Sequence, residues 1–220
     1  MAFASSSRRR SERSNCNMDD FAELVIASNN PGKIREIRHL LEPLGLRIHP
    51  QSAFHVTEAD EPHCTFVENA LAKAQQAAAA SGLPALADDS GICVNALNGA
   101  PGVLSARLAG EPKSDERNNQ KLLELMAGIS DRRAHYYCVI VLVRNARDPE
   151  PILCEGEWRG ELLREPRGSG GFGYDPLFLI PKLGKTGAEL PLELKNQISH
   201  RGMALAKLVD QLRERVKGEK

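Results

Sequence analysis

Short apolar runs alternate with helical periodicities along most of the chain. Leu24-Val25-Ile26-Ala27 has the length and character of a buried strand. It feeds Ser28-Asn29-Asn30-Pro31-Gly32-Lys33, after which Ile34, Ile37, Leu40, Leu41 and Leu44 recur at helical spacing until Gly45 stops them. Arg47-Ile48-His49-Pro50 predicts a second strand, followed by the acidic loop Glu58-Ala59-Asp60-Glu61-Pro62. Thr65-Phe66-Val67-Glu68 opens an alanine-rich helix to about Ala80, with Gly82 as stop; Thr65 and Glu68 fit a capping box. Leu83-Pro84-Ala85-Leu86 and Ile92-Cys93-Val94 predict two strands on either side of Ala87-Asp88-Asp89-Ser90-Gly91. Ser114-Asp115-Glu116 starts a helix carrying Leu122, Leu123 and Met126, with acids suited to its first turn. His135 to Val143 is too apolar to be half-exposed and predicts a central strand. Ile152 to Trp158 and Glu161-Leu162-Leu163 predict antiparallel partners turned at Arg159-Gly160, and Leu177-Phe178-Leu179-Ile180 the last strand. Ser199 is a credible N-cap for a final helix with Leu205, Leu208, Val209 and Leu212 on one face. The order predicts an α/β fold with a partly antiparallel sheet.

Residues 1–20 break this pattern. Ser5-Ser6-Ser7-Arg8-Arg9-Arg10-Ser11 is polar and basic, with no apolar period and no apolar core for a secretory signal. An Arg/Ser-rich transit peptide is the alternative, against which stand its shortness and Glu12. The domain division read here is a disordered basic tail over 1–20 and one folded domain over 21–218. Met18 could equally be an alternative translation start. Deleting residues 1–17 is therefore expected to leave activity and Tm nearly unchanged, checked by a melting curve. A drop of many degrees would show that the tail packs on the body.

Composition narrows the class. The 220 residues suffice for one sizeable core, and 41% hydrophobic with 26% charged residues is ordinary for a globular protein. The formal net charge is zero, so no global field draws the chain to nucleic acid or to a membrane surface. No apolar run is long enough to span a bilayer. Five cysteines without a C-x-x-C pair suit reduced thiols in a cytoplasm rather than a disulfide frame or zinc site.

Four stretches carry candidate chemistry. Adjacent carboxylates at Asp88 and Asp89 are costly between buried strands unless solvated, hydrogen-bonded or bound to a cation, although Asp, Ser and Gly also make ordinary turns. Ser28 to Lys33 joins a strand to a helix start, a natural phosphate cradle or else a plain βα turn with an Asn/Pro cap. Lys33 at a helix N-terminus is misplaced unless an anion compensates it, and a Walker A loop is excluded by Ala27 and Ile34. Four glycines around Phe172, Tyr174 and Asp175 suit an aromatic held for stacking on a planar ring rather than a flexible linker. His200 and Arg201, in a first turn where cations are disfavoured, suggest that something electron-rich is held there.

With Phe66-Val67-Glu68-Asn69-Ala70 and Ser199-His200-Arg201-Gly202 added, these motifs occur in the order seen in the inosine/xanthosine triphosphate pyrophosphatase family, which the chain resembles over residues 22–216. The bacterial branch looks closest. The resemblance implies an elongated two-lobed α/β fold around a long mixed sheet, with the active-site cleft between the lobes, and a homodimer. It also implies Mg2+-dependent hydrolysis of non-standard purine nucleoside triphosphates (ITP, dITP, XTP) to the monophosphate and pyrophosphate. Carried over, Ser28, Asn29, Asn30, Pro31, Gly32 and Lys33 hold the triphosphate. Asp89 is the proton acceptor and, with Glu61, a Mg2+ ligand, while Lys73 and Ser90 contact substrate. Phe172, Gly173, Tyr174, Asp175, Lys195, His200 and Arg201 match nucleotide and base contacts.

Elementary chemistry agrees. Cleavage between the α and β phosphates needs a water, a base and cations against the triphosphate charge. A donor such as Arg201, His200 or a backbone N–H would pair with a 6-oxo purine and leave adenine unpaired. Two other readings are a related pyrophosphatase for modified pyrimidines or nucleotide-like substrates, and a non-catalytic nucleotide-binding module. The second is disfavoured by the presence together of Lys33, Glu61 and Asp89.

Overall fold

A computed structural model describes residues 21–57 and 61–217. The basic tail with Met18 and Cys16, the acids Glu58 and Asp60, and residue 218 lie outside the described residues. Among the described residues seven strands form one sheet: β1 (Glu23–Ile26), β2 (Arg47–Pro50), β3 (Ala85–Val94), β4 (Arg133–Val143), β5 (Ile152–Leu162), β6 (Phe178–Ile180) and β7 (Lys185–Thr186). Their order is β2-β1-β3-β4-β5-β6-β7. β1 is parallel to β2 and β3, and every later pairing is antiparallel. The sheet is mixed, as the element order predicted.

The helices are α1 (Pro31–Leu41), α2 (Phe66–Ser81), α3 (Asp115–Leu125), α4 (Leu192–Ile198) and α5 (His200–Lys217). β4 shows why both sheet faces are covered. Cys138, Ile140 and Leu142 join the core with α1 and α5, while Val139, Val141 and Val143 meet the buried alanines Ala70, Ala74, Ala77 and Ala78 of α2. Successive residues of a strand point to opposite faces, so a continuous apolar run serves two cores at once. A third core joins α3 to the far ends of β3, β4 and β5 and to β6. No helix among the described residues is long and apolar enough to cross a membrane. Cys64, Cys93, Cys138 and Cys154 are free thiols.

Three expectations need correction. Ala87-Asp88-Asp89-Ser90-Gly91 is neither a turn nor a loop: it is the middle of one ten-residue strand, β3. The partner strand β4 pairs with it residue by residue from Ala85 to Val94, which holds the polar stretch extended. Arg159-Gly160 likewise is no turn, because β5 continues through it to Leu162. A Cβ at Gly160 would sit 2.4 Å from the Leu179 carbonyl, so the glycine there admits the neighbouring strand rather than a bend. Finally, β6 is followed by the two-residue strand β7, so it is not the last.

Candidate active site

The adjacent carboxylates sit where β1 has ended and β3 runs on. Ile26 is the last β1 residue paired with β3, at Leu86. Asp88 and Asp89 therefore lie just beyond the carboxyl end of β1, the crevice position where open α/β sheets take ligands. Being neighbours in a strand, they point to opposite faces. Each face supplies its own cations, which is how two buried acids are accommodated side by side.

On one face Asp88, 1% exposed, meets Lys33 at 2.5 Å and Arg201 at 2.9 Å. The Cys138 thiol donates to it at 2.9 Å and the Ser90 hydroxyl at 3.0 Å. Burial alone would push its pKa up, but Arg201 and Lys33 outweigh burial and hold it well below the ordinary carboxylate range. Arg201 also donates to Glu36 through Nη1 and to Ser90 Oγ at 2.9 Å. Lys195 bridges Glu36 at 3.0 Å and Asp175 at 2.6 Å.

These contacts correct the reading of the α5 start. Arg201 is compensated inside the fold, by Asp88 and Glu36, and Lys33 by Asp88. His200 is held neutral, its pKa well below the usual value, because burial and the neighbouring Arg201 disfavour its charged form. Its ring stacks on Tyr136 at 4.6 Å and 6°. Its Nδ1 is buried without a hydrogen-bond partner. Ser199 does cap the helix, its hydroxyl accepting from the Gly202 N–H at 3.2 Å. Gly156 of β5 makes the close approach possible: a Cβ there would lie 1.9 Å from the His200 carbonyl oxygen.

On the other face Asp89, 4% exposed, accepts from Lys73 Nζ at 2.7 Å. The same ammonium reaches Glu61 at 2.8 Å, and Arg107 holds the second Glu61 oxygen at 2.7 Å. Lys73 is thus no solvated helix residue, its side chain being 11% exposed. The two acids are driven apart. Burial raises Asp89, and Lys73 and Lys33 only partly oppose it. Burial also acts on Glu61, but Lys73 and Arg107 overcome it and bring Glu61 down to about 2.

Asp89 Oδ2 is a buried oxygen with no hydrogen-bond partner. Two carboxylates meeting at one ammonium, one of them with an orphaned oxygen, fit a hard cation that takes one or two carboxylates and keeps several waters. Among the described residues no group of three or more His, Cys, Asp or Glu is placed to hold a metal ion by itself.

The Ser28–Lys33 turn is more self-satisfied than a phosphate cradle requires. Asn30 Oδ1 accepts from the N–H of Gly32 at 2.9 Å and of Lys33 at 3.1 Å, and Pro31 occupies the first helical position. Those two donors serve the cap. What faces the cleft of about 290 Å³ are Ser28, Asn29, Asn30 and Lys33, with Glu61, Lys73, Asp88 and Lys113 on its other walls. Thr65 caps α2 by accepting from the Glu68 N–H, but its hydroxyl donates to the Glu68 carboxylate at 2.6 Å; half of the predicted box forms.

A second, smaller hollow of about 90 Å³ adjoins this cleft through Asn30 and Lys33, and is lined by Ser90, Phe172, Tyr174, Lys195, His200 and Arg201. Phe172 lies against Gly32, where a Cβ would be 2.6 Å from its ring, and under Lys195 Nζ at 4.6 Å from the ring centroid. Tyr174 donates its hydroxyl to the Ser105 carbonyl at 2.7 Å, and Asp175 accepts from the Phe172 N–H at 2.9 Å. Tyr174 and Asp175 thus brace the glycine-rich loop, and Gly173 carries Phe172.

Apart from Asp89, Pro31 and Gly32, the predicted site residues line two adjoining spaces, and Asp89 stands beside the first of them on Lys73. Sequence reasoning missed Glu36, Arg107 and the role of Asp88. Glu36 had a signal, since it falls one turn after Lys33 in an otherwise apolar stripe. Arg107 had none, because Glu61 is distant in the chain.

A family model for the Ham1 family matches residues 24–211. The chain is 67% identical over 192 residues to a dITP/XTP pyrophosphatase of Nitrosomonas europaea, covering 87% of this chain and 95% of that one. It is 63% identical to a dITP/XTP pyrophosphatase of Aromatoleum aromaticum over 87% and 96% of the two chains. A solved HAM1 protein from Coxiella burnetii superposes with a TM-score of 0.82 at 50% identity, over 87% of this chain and 98% of that chain.

Proposed function

The chain belongs to the Ham1 family, and we infer that it hydrolyses the non-standard purine nucleoside triphosphates dITP, XTP and ITP to the monophosphate and pyrophosphate. One juxtaposition carries the reading. A raised, buried carboxylate with an orphaned oxygen, Asp89, stands with Lys73 and Glu61 beside the Lys33 cleft, which joins the aromatic hollow of Phe172 and neutral His200.

The triphosphate lies in the cleft against Ser28, Asn29, Asn30 and Lys33, with Lys73 at its far wall. Asp89 takes the proton of the water that attacks the α-phosphorus, and the α–β bridging oxygen leaves with pyrophosphate. Lys33 and Lys73 offset the charge that gathers on the leaving group. Glu61 and Asp89 would hold Mg2+, which when bound adds further charge neutralisation for the triphosphate. The base enters the hollow and stacks on Phe172. His200, neutral and stacked on Tyr136, lines the hollow, and its unpartnered Nδ1, as the N–H tautomer, would donate to a 6-oxo group, for which adenine offers no acceptor. Arg201, with four of its N–H groups already engaged, acts mainly by fixing Ser90 and Asp88.

The catalytic unit is assigned to residues 21–218, the assembly to a homodimer and the location to the cytoplasm. A panel of dITP, XTP, ITP, dATP, dGTP and a modified pyrimidine triphosphate, with pyrophosphate release followed with and without Mg2+, tests the reading. Turnover is expected for the first three and to vanish without Mg2+. Equal turnover of dATP, or none of any substrate, would overturn the assignment.

A further inference from the structure

The loop that carries Phe172 is held at three places, and they differ in kind. Tyr174 and Asp175 are anchored in the interior, to the Ser105 carbonyl and to Lys195. The third hold comes from α3 at the edge of the hollow. Asp115 Oδ2 accepts from the Gly173 N–H at 2.6 Å, and Asn119 Nδ2 donates to the Gly173 carbonyl at 2.7 Å. The same Asn119 nitrogen donates to the Asp115 carbonyl at 2.7 Å, which ties the two grips together. Gly173 is thus held on both its N–H and its C=O by two side chains one helical turn apart. It adopts φ +61°, a conformation that glycine takes without strain.

The hollow of about 90 Å³ is far below the ~300 Å³ at which ordinary ligand pockets begin. Phe172 forms one wall of it, so the position of the Phe172 segment sets how a purine fits there. We propose that Asp115 and Asn119 are positioning residues for base selection: by gripping the Gly173 peptide they set where Phe172 stands over the purine. The inference rests on the purine triphosphate reading above. It concerns the base end of the substrate and not the phosphate end, because neither residue lines the Lys33 cleft.

That division gives the test. Asp115→Ala removes one grip, and the near-isosteric Asn119→Asp sets an acceptor against the Gly173 carbonyl. Each variant is expected to raise KM for dITP about 10- to 100-fold, the loss of one charge-assisted hydrogen bond, with kcat changed only about twofold. Inhibition by inorganic tripolyphosphate, which has no base, should be unchanged. In a Phe172→Ala background Asp115→Ala should add less than about a twofold further loss, since the grip acts through that ring.

Equal weakening of dITP and tripolyphosphate would mark general damage and overturn the proposal, as would a fully additive loss on Phe172→Ala or an unchanged KM. If Asn119→Asp melts before assay, Asp115→Ala, at an exposed first-turn position, carries the decision alone. A wild-type chain inert on all substrates sinks the functional reading itself; an active wild type with silent variants sinks only the clamp.

Discussion

Replacing Asp89 by asparagine is expected to lower kcat for dITP by about 100- to 10,000-fold, the usual contribution of a positioned general base. Tm should stay within a few degrees. The two outcomes separate because of what each carboxylate oxygen does. Oδ1 accepts from Lys73 at 2.7 Å, and an amide oxygen fills the same place. Oδ2 is buried with no partner, so the amide nitrogen in its place breaks no hydrogen bond, and the neutral side chain is spared the cost of burying a charge, which offsets the weakened contact with Lys73. What the amide cannot do is accept a proton from water. Because burial raises the Asp89 pKa above the ordinary value, the acid limb of wild-type kcat/KM should lie above the usual aspartate range, activity falling as pH drops through it. Initial rates of pyrophosphate release across pH, with a melting curve for each protein, check this. Near-normal turnover in the variant would remove Asp89 from its role.

Arg201→Ala is expected to act on stability first, by about 3–5 kcal/mol, the cost of stripping one partner from a buried ion pair. For a chain of this size that lowers Tm by roughly 6–20 °C. Arg201 is 1% exposed and joins Asp88, 1% exposed, to Glu36, 2% exposed; without it two carboxylates are left inside the fold. Lys33 still reaches Asp88 and Lys195 still reaches Glu36, so the fold is weakened rather than lost. The sign with pH follows from Asp88. In the wild type its folded pKa lies below the unfolded one, so its stabilisation is present above the ordinary carboxylate value and is lost as pH falls. In the variant burial is less opposed and raises the same pKa, so acidification relieves the penalty. The Tm gap between the two proteins should therefore be widest near pH 7 and narrow toward pH 4. An unchanged Tm at pH 7 would contradict this account of the network. Loss of activity in Arg201→Ala is consequently no measure of base recognition on its own.

The strand and helix order, the α1 cap and the Ser199 cap were legible in the sequence, because each is written locally; the gathering of Lys33, Asp89, Phe172 and His200 into one region was implied only by the family resemblance. Apolar spacing sets period 2 or 3.6, and Asn30 and Ser199 satisfy N–H groups two or three residues away. The mixed sheet followed from the order of elements. Local signals failed where a long-range partner overrode them. Asp88-Asp89-Ser90-Gly91 has turn composition, yet ten residues of β4 hold it extended, and Gly160 is a close approach rather than a bend.

Charge shows the same division. From the chain alone, Lys33, His200 and Arg201 at helix starts called for an external anion. Only the packed structure decides that Asp88 and Glu36 answer the arginine and the lysine, and that burial keeps the histidine neutral. Glu36 lies 165 residues from Arg201 in the chain, and Asp88 lies 113 from it. Sequence fixes which groups are present and the face on which each sits within its own element. Their pairing depends on how α1, β3 and α5 are laid together, and that is set by the summed burial of all the elements, which no local window contains.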